Sequence, residues 1–292
     1  MVAAQDLAGR TIIVTGANTG IGYDTARALA SAGARVIVAC RSEDTGSAAA
    51  ERIRAAHPGA VVEYRALDLA SFASIRAFAD GLDAPVIDAL VCNAGLAITR
   101  WAATEEGFER TVGVCHIGHF LLARLLMERL LAAPAPRVVM VSSESHRMPK
   151  RLDFERLPMS EANFSGLVAY GQAKLCNLLM ARSLQRRYGE RGLTACALHP
   201  GTLISTDIGR NSGPIGLLMK LISPFTKNCN QGAATTVLAV VHEPAADTAG
   251  TYLSDCRPVR SSAEAEDATV GERLWAASQA WLEAAGAPGD WP

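Results

Sequence analysis

TIIVTGANTGIG, Thr11 to Gly22, is the stretch from which the rest of the chain can be read. Its first five residues, rich in β-branched side chains, predict a buried strand. A turn with glycines at Gly16, Gly20 and Gly22 follows and runs into a helical pattern from Gly20 to Ala32. Glycine permits the tight turn and lets backbone N–H groups and the positive end of the helix approach a phosphate. The spacing is GxxxGxG, not the commoner GxGxxG, and a glycine loop by itself is weak evidence, with a purely structural turn as the competing reading. Its place between strand and helix favours a dinucleotide pyrophosphate.

Working outward, further β-rich runs recur: RVIVAC, VVEYR, VIDALVCNA, RVVMVSS and LTACALHP. Helical patterns separate them, at Gly20 to Ala32, Glu43 to Ala56, Ser71 to Ala79 and Thr104 to Leu131. The alternation predicts an α/β chain: a doubly wound, Rossmann-type parallel sheet with helices on both faces. A polar, irregular insertion spans His146 to Gly166, before a strong helix to Tyr188. Another helix begins near Gln231, GTYLSD supplies a last strand, VGERLWAASQAWL a last helix, and Pro258 to Asp267 reads as loop. Without repeats or breaks in composition, residues 1–292 read as a single domain. The segment 201–230 encloses the amphipathic run IGLLMKLISPF. It reads as a surface helix, as a movable cover over an apolar substrate, or as a membrane-touching patch.

Bulk properties narrow the classes. A chain of 292 residues, 49% apolar, buries a full-sized core. With 28 basic and 29 acidic residues it has no long-range field to favour nucleic acid. Seven cysteines, an odd number without CxxC spacing, argue for a reducing, cytoplasmic compartment. The first residues lack the pattern of a signal peptide, and no run reaches the ~18 charge-free apolar residues of an integral membrane segment.

The chemistry gathers at the strand ends. Where an NAD site usually puts an acid to receive ribose hydroxyls, the second strand ends in Cys40 and Arg41. A guanidinium there suits the 2′-phosphate of NADP, with NAD as the alternative and a solvated surface arginine as the bland one. Asp68, followed by Leu69, can accept from an adenine amino group or cap the next helix. CNAG brings Asn93, Ala94 and Gly95 close to a cofactor. Tyr170 and Lys174, four residues apart, share a helix face. A phenol alone is a weak base near neutrality, and a neighbouring ammonium stabilises its phenolate. Ser143, after RVVMVS, can align a substrate oxygen, and Ser142 reads as structural.

Taken together, TGANTGIG, CNAG, VSS, YGQAK and HPG resemble the short-chain dehydrogenase/reductases over residues 8 to 285. ACR, LDLASFASIRAF, GHFLLARLL, SSESH, AKLCNLLMA, ALHPGTLISTDIGR and PFTKNCNQGAATT are similar to its retinol-dehydrogenase-like branch and to the oxidoreductase domain of WW-domain-containing oxidoreductases. The resemblance implies an NAD(P)-dependent enzyme interconverting alcohols and carbonyls, on a small lipophilic substrate such as a retinoid or steroid. It implies substrate orientation by Ser143, acid–base work by Tyr170 and ribose binding by Lys174. It assigns the cofactor loop to Gly16, Asn18, Thr19, Gly20, Ile21 and Gly22. Pro200, Gly201 and Thr202 fall near the nicotinamide, with Thr206 on its carboxamide or phosphate side, and a homodimer or homotetramer is the implied assembly.

One position departs from that pattern. The family's catalytic asparagine falls on Cys115 in TVGVCHIGHF. As the resemblance implies, that residue's backbone carbonyl helps hold a water joined to the lysine and its side chain steadies the helix. Cysteine keeps the carbonyl and loses the amide. A nucleophilic Cys115 finds no well-placed base in His116, and a zinc pair of Cys115 with His119 lacks further ligands. An inert thiol is the plain reading. The functional alternative to an oxidoreductase is therefore a cofactor-binding regulatory protein with weak or lost catalysis.

Overall fold

Eight strands form one sheet in the order β3-β2-β1-β4-β5-β6-β7-β8. They are β1 Thr11–Thr15, β2 Arg35–Cys40, β3 Val62–Ala66, β4 Ala89–Cys92, β5 Arg137–Val141, β6 Thr194–His199, β7 Tyr252–Ser254 and β8 Arg257–Val259. Seven run parallel, and β8 returns antiparallel on β7. The computed structural model describes residues 6–201, 229–243 and 245–292. Thr202, Thr206 and nearly all of the segment 201–230 lie outside them.

Near-continuous apolar strands fit a sheet buried on both sides. Along β1, Ile13 faces one core while Ile12 and Val14 face the other. Against the first pack α3 Phe72–Asp80, α5 Gly118–Leu131, α6 Gly166–Tyr188 and α9 Ala268–Ala284; against the second, α1 Gly20–Ser31, α2 Glu43–Ala56 and α7 Cys229–Val241. The caps follow sequence: Ser42 accepts from Thr45 N–H to start α2, with Glu43 and Asp44 at its positive end.

Three elements differ from the sequence expectations. The long helix begins not at Thr104 but at α4, Arg110–Val112, because the Glu109 carboxylate accepts from the N–H groups of Thr111 and Val112 and fixes the start there. A π-helical turn, Gly113–Ile117, then interrupts the path to α5. The stretch read as loop from Pro258 holds the end of β8 and a short helix α8, Ala263–Glu266. Among the described residues no helix is long and apolar enough to cross a membrane.

The sheet order reverses direction between β1 and β4, so the connections from these strands diverge to opposite faces and leave a crevice at their carboxyl ends. Most of the candidate residues named from sequence line it, Ser143 and Cys115 among the exceptions.

Candidate active site

The crevice is a cleft of about 680 Å³, within the range of small-molecule sites. Its floor is the glycine turn. Gly16 and Gly20 have φ of +65° and +60°, a region that favours glycine. A methyl on Gly22 would overlap the Asn93 amide nitrogen and the Gly16 carbonyl oxygen. The first turn of α1 carries no acidic residue, so its positive end faces the cleft without a competing carboxylate.

Asn18, Thr19, Ile21, Arg41, Asp68, Leu69, Asn93, Ala94, Gly95 and Pro200 all border the same space. Arg41 is exposed and forms no hydrogen bond or ion pair with any described residue. Asp68 closes its own turn, its Oδ1 accepting from Ala70 N–H at 2.9 Å. The cap of α3 is Ser71, which accepts from Ser74 N–H, and not Asp68. Asn93 donates to the Thr15 carbonyl at 2.8 Å, tying the loop after β4 to the end of β1. Gly201 is buried with φ +127°.

At the other end, the first turns of α6 place Tyr170 half-buried on the cleft wall and Lys174 behind it, 3% exposed. The Lys174 Nζ lies 5.5 Å from the Tyr170 ring centroid and donates to the Val141 carbonyl at 3.0 Å. Asn177 Nδ2 donates to that carbonyl too, at 3.1 Å, and the Ser142 hydroxyl donates to the Lys174 carbonyl at 2.8 Å. The tip of β5 and the helix are thus laced together by three bonds. Ser142 has its hydroxyl engaged and is 3% exposed. Ser143 is half-buried, and its Oγ accepts from Ser145 N–H at 3.2 Å and lies 3.3 Å from Ser145 Oγ. His146 braces this turn, its Nδ1 2.7 Å from the Ser143 carbonyl while Nε2 accepts from Ser262 N–H at 3.2 Å. Burial, chiefly, lowers the His146 pKa and keeps the ring neutral.

Cys115 sits in the π-turn, fully buried. A β-carbon built on Gly95 would lie 3.1 Å from Lys174 Nζ and 3.3 Å from Cys115 Sγ, so thiol and ammonium flank one point. The Cys115 Sγ is 3.7 Å from the Leu96 carbonyl oxygen. His116 turns away, with Nε2 2.8 Å from Ser278 Oγ. Both ring nitrogens of His119 are engaged, by Thr15 Oγ1 and the Cys115 carbonyl.

Sequence reasoning missed a second wall of the cleft: Leu96, Ala97, Ile98, Thr99 and Arg100. A signal was available, because residues directly after CNAG must leave the same strand end. Gly166 is where the two walls meet, since a methyl there would overlap the Ile98 carbonyl oxygen.

Such a cleft suits a dinucleotide: a glycine-lined turn at a helix start, a guanidinium at the end of β2 without a partner among the described residues, and a buried ammonium beside a phenol. Comparison with known proteins agrees. The short chain dehydrogenase family model matches residues 10–153. The WW domain-containing oxidoreductase of Danio rerio is 44% identical over 97% of this chain and 71% of that protein. Retinol dehydrogenase 12 of Mus musculus is 42% identical over 91% of this chain and 84% of its own length. A crystal structure of an uncharacterized protein from Mycobacterium paratuberculosis superposes with a TM-score of 0.80 and 34% identity, covering 100% of this chain and 98% of that one.

Proposed function

Because the chain belongs to the short-chain dehydrogenase/reductase family of nicotinamide-dependent oxidoreductases, we propose that it interconverts an apolar aldehyde or ketone and its alcohol, with NADP(H) preferred. The observation that carries this reading is that Tyr170, Lys174 and the glycine turn open on one cleft with Arg41 on its rim. The residues fit the cofactor: Gly16 to Gly22 would hold the pyrophosphate, Arg41 a 2′-phosphate, Asp68 and Leu69 the adenine, and Asn93 to Gly95 the floor. Pro200 lines the same cleft, and the family resemblance assigns Pro200, Gly201, Thr202 and Thr206 to the nicotinamide end.

When bound, the nicotinamide supplies or accepts the hydride. Tyr170 gives its phenolic proton to the substrate oxygen in reduction and takes one in oxidation. Lys174 stabilises negative charge arising on the phenol oxygen and would donate to the ribose of a bound cofactor. Ser143 orients the substrate oxygen once its hydroxyl leaves Ser145, a long bond at 3.3 Å that is cheap to exchange. The wall of Leu96, Ala97 and Ile98 favours an apolar substrate. Retinol dehydrogenase 12, named for an alcohol of this kind, is a relative.

Two variants test the reading. Tyr170→Phe is expected to lower turnover of long-chain aldehydes by roughly 10²–10⁴-fold with NADPH affinity kept. Arg41→Ala is expected to weaken NADPH binding by about 1.5–3 kcal/mol and leave NADH unchanged. Equal losses for the two cofactors would remove the NADP assignment. Cys115 supports a second reading, a cofactor-binding regulator, and NADPH binding without hydride exchange on any carbonyl or alcohol tried would favour it.

A further inference from the structure

A chain of buried hydrogen bonds links the cofactor loop to the π-turn. The Thr15 hydroxyl oxygen accepts from the N–H groups of Asn93 and Ala94, both at 2.9 Å. Its lone pairs are then filled, and one proton remains to be donated. Two acceptors are in reach, the Val91 carbonyl at 3.3 Å and His119 Nε2 at 2.9 Å.

The far side of the ring decides between them. His119 Nδ1 lies 3.1 Å from the Cys115 carbonyl oxygen, which can only accept, so Nδ1 bears the hydrogen. His119 is fully buried, and desolvation takes its pKa down to about 4; the bond to Cys115 raises it and the Lys174 charge lowers it. A neutral ring protonated on Nδ1 has a bare Nε2, and the Thr15 proton goes there. The donors and acceptors of these bonds, from Asn93 and Ala94 through Thr15 and His119 to Cys115, are matched.

This matters at Cys115 because the turn is not an ordinary helix. Gly118 N–H bonds back to the Gly113 carbonyl, five residues away. Cys115 lacks an amide, and its thiol donates only a long, weak hydrogen bond to the Leu96 carbonyl at 3.7 Å. We propose that His119 is a positioning residue: as the Nδ1–H tautomer it holds the Cys115 carbonyl and thereby the π-turn beside Lys174, a support that the Cys115 thiol gives only weakly. The inference rests on the oxidoreductase reading of this site, and it assigns His119 a task that neither zinc binding nor base catalysis describes.

The tautomer is tested without any turnover. In full-length protein labelled with ¹⁵N-histidine, the His119 ring is expected to show a protonated Nδ1 and a bare Nε2 from about pH 7.5 down to about pH 5. An Nε2–H tautomer, or an imidazolium at about pH 6, overturns the proposal. Thr15→Val, which deletes the hydroxyl facing Nε2, shifts the His119 signals and assigns them should His119 variants not fold.

Positioning is tested with NADPH and decanal. His119→Asn keeps an amide donor at the place of Nδ1 and is expected to retain most of kcat. His119→Gln moves its amide toward Thr15 and is expected to lose on the order of tenfold in kcat at saturating NADPH, with the KM for decanal little changed. In a Cys115→Asn background the same His119→Gln loss is expected to shrink to less than half, because the asparagine steadies the turn independently. Equal losses for the two His119 variants, or identical losses in both backgrounds, reduce His119 to a structural residue. If the wild type reduces no carbonyl, the function reading falls, while the tautomer and NADPH affinity, weakened by His119→Gln and kept by His119→Asn, still decide this one.

Discussion

At the scale of single residues, Cys115 is where this chain parts from the family pattern that its sequence otherwise resembles. Its sulfur is fully buried and approaches the Leu96 carbonyl oxygen at 3.7 Å. An amide in its place could donate a true hydrogen bond, so Cys115→Asn is expected to raise kcat, up to about tenfold, at saturating cofactor. A clear fall in kcat would mean that cysteine is no handicap. The Tyr170 and Lys174 pair was legible because four residues make one helical turn. The partnership of Thr15 with His119 was not: it spans 104 residues and exists only once β1 and α5 are packed together. Asp68 shows a subtler limit, for the sequence offered a cap or a ligand and the structure gives a carboxylate closing its own turn, with Ser71 as the cap.

At the scale of elements, the glycine turn is a packed object and not merely a flexible one. Gly22→Ala is expected to cost about 1–3 kcal/mol, since a methyl meets both Asn93 and the Gly16 carbonyl. A falling midpoint in urea together with weakened NADPH binding would report it. An unchanged midpoint would mean that the loop after β4 yields easily. Strands and helices with strong periodicity were readable, as was α2 with its Ser42 cap. β8 was not, because the two residues between it and β7, Asp255 and Cys256, adopt φ of 51° and 61° without the glycine that normally announces such a turn. The π-turn left no mark either: GVCHI has the composition of ordinary helix, and only the packing of the elements around it selects five-residue spacing.

At the scale of the whole molecule, two histidines sealed beneath the cleft tie stability to pH. Desolvation takes His116 down to about 3 and His119 down to about 4, both below the ordinary value near 6.5. The unfolded chain therefore binds more protons between those limits, and stability, complete above about pH 6.5, falls as the pH drops toward 4. Urea midpoints measured across that window are expected to decline, with His116→Gln flattening the slope; a flat wild-type profile would contradict neutral burial. The doubly wound sheet was the most legible feature of all, since it is written in apolar strands alternating with amphipathic helices. Substrate contacts were the least, being made by loops whose course depends on everything beneath them.

One consequence follows from the three bonds that lace the tip of β5 to α6. Strand and helix share a single fixed frame, and the proton donor inherits its rigidity. Change is tolerated across the gap, where 96–100 follow the loop after β4 and carry no part of that frame. Such a chain can drift toward new clients through one margin of its mouth while the reaction performed on them stays the same.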